Sequence, residues 1–207
     1  MRIQPILDFG DGWFVDTDHR FACNKTSKLK VSAPQMIVLH WTAGRYAEVL
    51  ERAERMKAWA ANEKEKQSTN FVILRDGTIF QLVPTTKAAW HSGESAWQLA
   101  DGRNIKSCNY YSIGIDLDLV GPVTLKNEVW VDSKGYPVFC NAQQEGKKCY
   151  EKPTDAQFYA LRVLIDVLRT KYNIPLRDIV GHRDVSPGRK IDPGPFVNVQ
   201  ELGLING

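Results

Sequence analysis

The stretch VGHRDVSPGRKIDPGPF (180–196) decides how this chain is read. It closes a short apolar run and then places one His, two Asp, two Arg and one Lys among three Pro and three Gly. A run that ends in an irregular, charge-rich loop reads as a strand delivering reactive side chains to a sheet edge, where α/β proteins often bind ligands. "DIVGH" (178–182) is that short strand, and it hands His182 to the loop.

Upstream, "TDAQFYALRVLIDVLRTKYNI" predicts a helix. Thr154 and Gln157 form a capping box. Phe158, Leu161, Leu164, Ile165, Leu168 and Tyr172 recur at helical spacing as one apolar stripe. A second amphipathic helix is expected over 46–62, with Val49, Leu50, Ala53, Met56 and Ala60 on one face. "MIVLH" (36–40) has the β-branched, unbroken apolar character of a buried strand. "NFVILRDGTIFQLV" (70–83) predicts two strands around Asp76-Gly77. In "SIGIDLDLVG" (112–121), Ile113, Ile115, Leu117 and Leu119 alternate with Asp116 and Asp118 on the opposite face. A hairpin turning at Ser133-Lys134-Gly135 is expected within an insertion over 122–150. Strands interspersed with helices predict an α/β fold, a central mixed β-sheet flanked by helices.

The chain has 207 residues, and no repeat or Gly/Ser linker divides it, so one domain is expected over 1–207, with its core about 34–196. A hydrophobic fraction of 43% supports an ordinary soluble core. A net charge of +3, without a basic run or an aromatic stripe, argues against nucleic acid. No stretch approaches the ~18 apolar residues of a bilayer span. Asp8 and Asp11 stand where a signal peptide needs an apolar region, so synthesis in the cytoplasm is expected, with release to any outside site of action by another route. The four cysteines form no CxxC pair; free thiols are expected, with a Cys140–Cys149 bridge as the alternative after export.

Four histidines invite individual weighing. His19 has no distinctive setting. His40 ends the 36–40 strand, His91 sits in the Gly-containing loop "AAWHSGES", and His182 opens the 180–196 loop. Taken singly, each reads as a hydrogen-bonded structural His. Together, His40 and His182 at the ends of two strands, with Asp192 in a Pro-stiffened loop, supply two imidazoles and a carboxylate. That is a ligand set for catalytic Zn²⁺ with one open position. Lys190 can place an ammonium beside a developing oxyanion.

The motifs "IVLHWTAG", "FVILRDGTIFQLVP", "AAWHSGES", "CNYYSIGIDLDLVG" and "IVGHRDVSPGRKIDPGP" occur in an order that resembles the zinc N-acetylmuramoyl-L-alanine amidases of type 2. That family includes phage T7 lysozyme, AmpD-type amidases and peptidoglycan recognition proteins. The resemblance implies Zn²⁺ on His40, His182 and Asp192, with Lys190 as a catalytic residue. It implies that His91 contacts or shapes the substrate cleft. Asp116 takes the place where AmpD-like members carry Glu, and so becomes the candidate general base. Thr69 stands where the phage branch carries Tyr. Trp90, with Trp41 and Trp97, is a candidate for stacking on sugars, and Arg189, Arg183 or Arg45 for pairing with stem-peptide carboxylates.

The implied reaction is hydrolysis of the amide between N-acetylmuramic acid and L-Ala in bacterial peptidoglycan or muropeptides, by a monomer. The motif "HWTAG" leans toward a lytic, endolysin- or effector-like enzyme. The alternatives are a cytosolic amidase recycling anhydro-muropeptides and a peptidoglycan-binding module without activity.

Overall fold

The structure, a computed structural model, describes residues 6–44, 54, 58, 60–62, 67–138, 142–145 and 148–198. Its strands, in chain order, are β1 (Thr26–Lys28), β2 (Met36–Trp41), β3 (Phe71–Ile73), β4 (Ile79–Gln81), β5 (Lys87–Ala89), β6 (Ala96–Gln98) and β7 (Asn104–Lys106). They continue as β8 (Ser112–Leu117), β9 (Pro122–Lys126), β10 (Val129–Val131), β11 (Ala142–Glu145), β12 (Lys148–Glu151) and β13 (Ile179–Gly181). The long helix is α1 (Asp155–Tyr172), and α2 (His182–Val185) is a single turn.

Five strands form the central sheet in the order β13-β2-β8-β3-β4. The first four run parallel, and β4 returns antiparallel beside β3 across the Asp76-Gly77 turn. This is the mixed α/β sheet that the sequence predicts. The strand over 112–121 is shorter than expected and ends at Leu117.

Side chains alternate along β8, and that alternation divides the molecule. Ile113, Ile115 and Leu117 face the helix side, in one cluster with Ile37, Leu39, Phe71, Ile73 and the α1 residues Leu161, Leu164, Ile165 and Leu168. Ser112, Gly114 and Asp116 fall on the other face. Each buried α1 side chain contributes roughly 1.5–3 kcal/mol. The capping box is worth about 1 kcal/mol. Packing therefore holds α1 in place, and the box fixes where it starts: Gln157 N–H donates to Thr154 Oγ1 at 3.1 Å. Asn173, in the left-handed region, ends it. Phe158 and Tyr172, expected on the apolar stripe, lie at its partly buried margin.

Phe14 and Val15 lie outside the core expected over 34–196, yet both are fully buried in the main cluster. Their segment is clamped by Gln81, which accepts from Phe14 N–H at 2.8 Å and donates to the Gly12 carbonyl at 2.7 Å.

The described strands between 122 and 151 form a four-stranded antiparallel sheet, β10-β9-β12-β11, where one hairpin is expected. The expected turn at Ser133–Gly135 is present, and a second tight turn falls at Asn127-Glu128, both at positive φ. Glu is not a residue that announces a left-handed turn, so the sequence hides it. The Ser133–Gly135 turn bridges Val131 to Pro137 antiparallel and returns Val138 N–H to the Trp130 carbonyl at 2.8 Å. Of the helix expected over 46–62, Glu54, Ala58, Ala60 and Ala61 are helical, and the rest lies outside the described residues apart from Asn62, which follows the helical stretch. Arg45 and Cys140 lie outside them too. Cys23, Cys108 and Cys149 are free thiols.

Candidate metal centre and catalytic pocket

β2 and β8 pair in parallel with His40 opposite Asp116, so both side chains leave the sheet on the face that α1 does not cover. Gly181 pairs with Leu39 one strand over, which brings His182 beside His40. Asp192 returns to the same point because Arg183 N–H donates to its carbonyl oxygen at 2.9 Å. Gly181 makes that return possible: a Cβ there would stand 2.7 Å from Pro193 Cδ.

The result is a triangle. His40 Nδ1, His182 Nδ1 and Asp192 Oδ2 each lie 3.0 Å from the other two. All three residues are buried. Among the described residues these three form the group able to hold a metal ion. A tetrahedral site with ~2.1 Å bonds has ligand–ligand edges of about 3.4 Å, so the triangle fits a small divalent ion after slight opening. Three lone-pair atoms this close require positive charge between them. Where protons supply it, burial alone would raise the Asp192 carboxyl, but hydrogen bonds from His182 and His40 prevail and hold it well below the usual carboxylate range.

The far ring nitrogens are also held. His182 Nε2 lies 3.1 Å from the Ser92 carbonyl, and His40 Nε2 lies 2.9 Å from His91 Nδ1. Such outer partners orient metal-binding imidazoles. Burial, then the neighbouring His40 and His182, push the His91 pKa well below the ordinary histidine value.

These groups open into a cavity of about 300 Å³, lined among others by Trp90, His91, Asp116, Arg189 and Lys190. Asp116 Oδ1 is buried and has no hydrogen-bond partner. Burial raises the Asp116 pKa, while the charge of His40 and the Thr69 hydroxyl pull it down less strongly. A poised, unpartnered carboxylate oxygen in this setting is suited to taking a proton.

The remaining candidates separate. Lys190 reaches the pocket from a backbone tied to the Ser186 carbonyl at 3.1 Å. Trp90 lines the pocket with its indole N–H on Ser27 Oγ at 2.9 Å. Arg189 lines it as well, yet its Nη2 already donates to the Ser92 and Glu94 carbonyls and to Ser186 Oγ, at 2.6–2.7 Å. It straps the 92–94 loop to the 186–190 loop, which leaves little of that nitrogen for a carboxylate. Arg183 donates to the Gly194 carbonyl at 2.7 Å, and Asp184 accepts from Gly181 N–H at 2.7 Å, so both shape the loop. Trp97 is spent on Asp178, at 2.9 Å, and on packing. His19 pairs with Asp16 away from the site.

Sequence reasoning missed the supports beneath the ligands. Asn109 Oδ1 accepts from His91 N–H, Ser92 N–H and Ser92 Oγ at 3.1, 2.7 and 2.8 Å, pinning the loop that touches both imidazoles. The alternation in "SIGID" was the available signal, since Ser112 and Gly114 share the face of Asp116.

A family model described as N-acetylmuramoyl-L-alanine amidase matches residues 30–195. The chain belongs to that amidase family. The match runs from before β2 through β13 to Pro195 and so contains His40, His182 and Asp192. The amidase chain is 34% identical over 128 residues, 62% of its length, to the 1,6-anhydro-N-acetylmuramyl-L-alanine amidase AmpD of Citrobacter freundii. That alignment spans about half of the relative, 51%. A crystal structure of a selenomethionine AmpD derivative superposes with a TM-score of 0.63 at 26% identity, covering 98% of this chain and 99% of that one. The amidase AmiD from E. coli, in complex with the substrate anhydro-N-acetylmuramic acid-L-Ala-D-γ-Glu-L-Lys, superposes with a TM-score of 0.58 at 26% identity over 85% of this chain and 59% of that one.

Proposed function

We propose that this chain is a zinc-dependent amidase that hydrolyses the bond between N-acetylmuramic acid and L-Ala in soluble anhydro-muropeptides. The observation that carries the reading is the 3.0 Å triangle of His40, His182 and Asp192 at the floor of an open pocket, in a chain of this family. A zinc ion on those atoms supplies Lewis acidity toward a water molecule and the scissile carbonyl.

The chain's own residues do the rest. Asp116 Oδ1 takes a proton from the attacking water as the new C–O bond forms. The Lys190 ammonium faces the oxygen that becomes negative. When the C–N bond breaks, the proton held by Asp116 passes to the leaving nitrogen of L-Ala. Trp90, at the pocket rim, offers an aromatic face to the sugar, and His91 braces the floor.

Anhydro-muropeptides are favoured over intact wall because the AmpD name specifies a 1,6-anhydro substrate and the AmiD complex holds an anhydro sugar. This reading replaces the lytic role toward which "HWTAG" leans.

Competition between anhydro-N-acetylmuramyl tripeptide and intact sacculi, read by mass spectrometry of released L-Ala peptides, tests it. Preferential cleavage of the soluble compound is expected. Release from sacculi alone would restore the lytic reading, and release from neither would make the chain a binding module.

A further inference from the structure

The hydrogen bonds behind His40 form a chain with one direction. Ser112 Oγ lies 2.6 Å from the Cys108 carbonyl oxygen. Two oxygens this close need a proton between them, and the carbonyl has none to give. The Ser112 hydroxyl therefore donates to Cys108, which leaves Ser112 Oγ as an acceptor for its other neighbour, His91 Nε2 at 3.1 Å. A neutral imidazole carries one N–H. With that proton on Nε2, His91 Nδ1 is bare and accepts from His40 Nε2, 2.9 Å away. His40 in turn has a proton on Nε2, so once a metal replaces the protons between the triangle's atoms its Nδ1 is the bare atom at that corner.

Nothing along this route is loosely placed. Ser112 is 1% exposed, and Asn109 fixes the backbone of His91. Gly114 lies directly beneath the His91 ring: a Cβ there would stand 2.7 Å from His91 Cγ. The second imidazole is set by the same loop, because the Ser92 carbonyl holds the proton of His182 on Nε2.

We propose that Ser112 and His91 are positioning residues that set the tautomer of His40, the Cys108 carbonyl being the fixed end that keeps a bare Nδ1 facing the metal. The inference rests on the zinc reading above, and it gives His91 a role distinct from substrate contact. Without the Ser112 acceptor the chain reverses. His91 can then carry its proton on Nδ1 and donate to His40, whose own proton moves to Nδ1 and into the metal position.

The test uses the full chain. ¹⁵N NMR of the zinc-loaded wild type reads each ring nitrogen directly. The expected result is a pyridine-type Nδ1 and a pyrrole-type Nε2 on His91, with the His40 proton on Nε2; a pyrrole-type Nδ1 on His91 overturns the proposal. Zinc affinity by chelator competition is the second readout. Ser112→Ala and His91→Phe should bind zinc ~10–100-fold more weakly, with Ser112→Thr recovering much of the loss. A folded Ser112→Ala that binds zinc as wild type does, or a His91→Phe that changes KM alone, also overturns it. Failure of the wild type to bind zinc would sink the zinc reading, whereas a zinc-loaded protein with a pyrrole-type Nδ1 on His91 would sink this inference alone.

Discussion

His40 and Asp116 stand opposite each other in register across the parallel strands β2 and β8, which puts the imidazole proposed to bind metal and the carboxylate proposed as base on one sheet face. The opposite face belongs to α1. The sheet thus separates stability from chemistry, and substitutions on the two faces should have separable effects.

Asp116→Asn is expected to reduce turnover by ~10²–10⁴-fold, the usual worth of a general base. It should also stabilise the protein. Burial raises the Asp116 pKa in the folded state, so the fold binds that proton more tightly than the unfolded chain does. The resulting stability is complete below the unfolded pKa and is lost as pH rises through the folded one. Urea unfolding of chelator-stripped protein should show Asp116→Asn more stable than wild type at neutral pH and equal to it near about pH 3. Equal stability at both would mean that the carboxylate is better solvated than its surroundings indicate.

Gly114→Ala tests the packing beneath His91. The added methyl would meet the imidazole at 2.7 Å, so the ring must move. A stability loss of about 1–3 kcal/mol is expected from the overpacking. Zinc content should fall with it, because the displaced ring is the partner of His40. Full metal content with unchanged stability would show that the ring does not rest there.

Much of this arrangement was legible in the sequence. The period-2 alternation of 112–117 assigned the two faces, the α1 stripe and capping box located the helix, and the Pro-rich loop identified His182 and Asp192. What escaped had no local signature. The turn at Asn127-Glu128 uses a residue that rarely adopts positive φ. The Ser112–His91–His40 chain joins three segments whose contact depends on tertiary packing. For Arg189 the sequence shows its charge but not the carbonyls that engage its Nη2.

Arg75 and Glu151 form a buried ion pair that ties the Asp76-Gly77 turn region to β12, and Glu151 also accepts from Val120 N–H at 2.6 Å. Glu151→Ala should destabilise by roughly 3–5 kcal/mol, because it removes the carboxylate paired with a buried guanidinium. The double change Arg75→Met, Glu151→Leu should recover most of that loss. Neither residue lines the pocket, so zinc affinity measured on the folded fraction should not change. A parallel fall in affinity would show that the two sheets are coupled.

Acid should strip the metal through the imidazoles. Asp192 is held well below the usual carboxylate range and stays charged across the histidine region. Metal binding needs both rings unprotonated, so zinc affinity should fall as pH is lowered, by up to ~100-fold per pH unit where protons compete for both. Isothermal titration from pH 8 to about pH 5 measures it. A pH-independent affinity would place the metal elsewhere.

The most direct test of the central claim is hydrolysis of anhydro-N-acetylmuramyl-L-Ala-D-γ-Glu-L-Lys, followed by mass spectrometry before chelation, after chelation and after zinc is restored. The account predicts that the L-Ala peptide appears, stops appearing and returns, and that His182→Ala releases none under any condition. Undiminished release by chelated protein, or by His182→Ala, would contradict it.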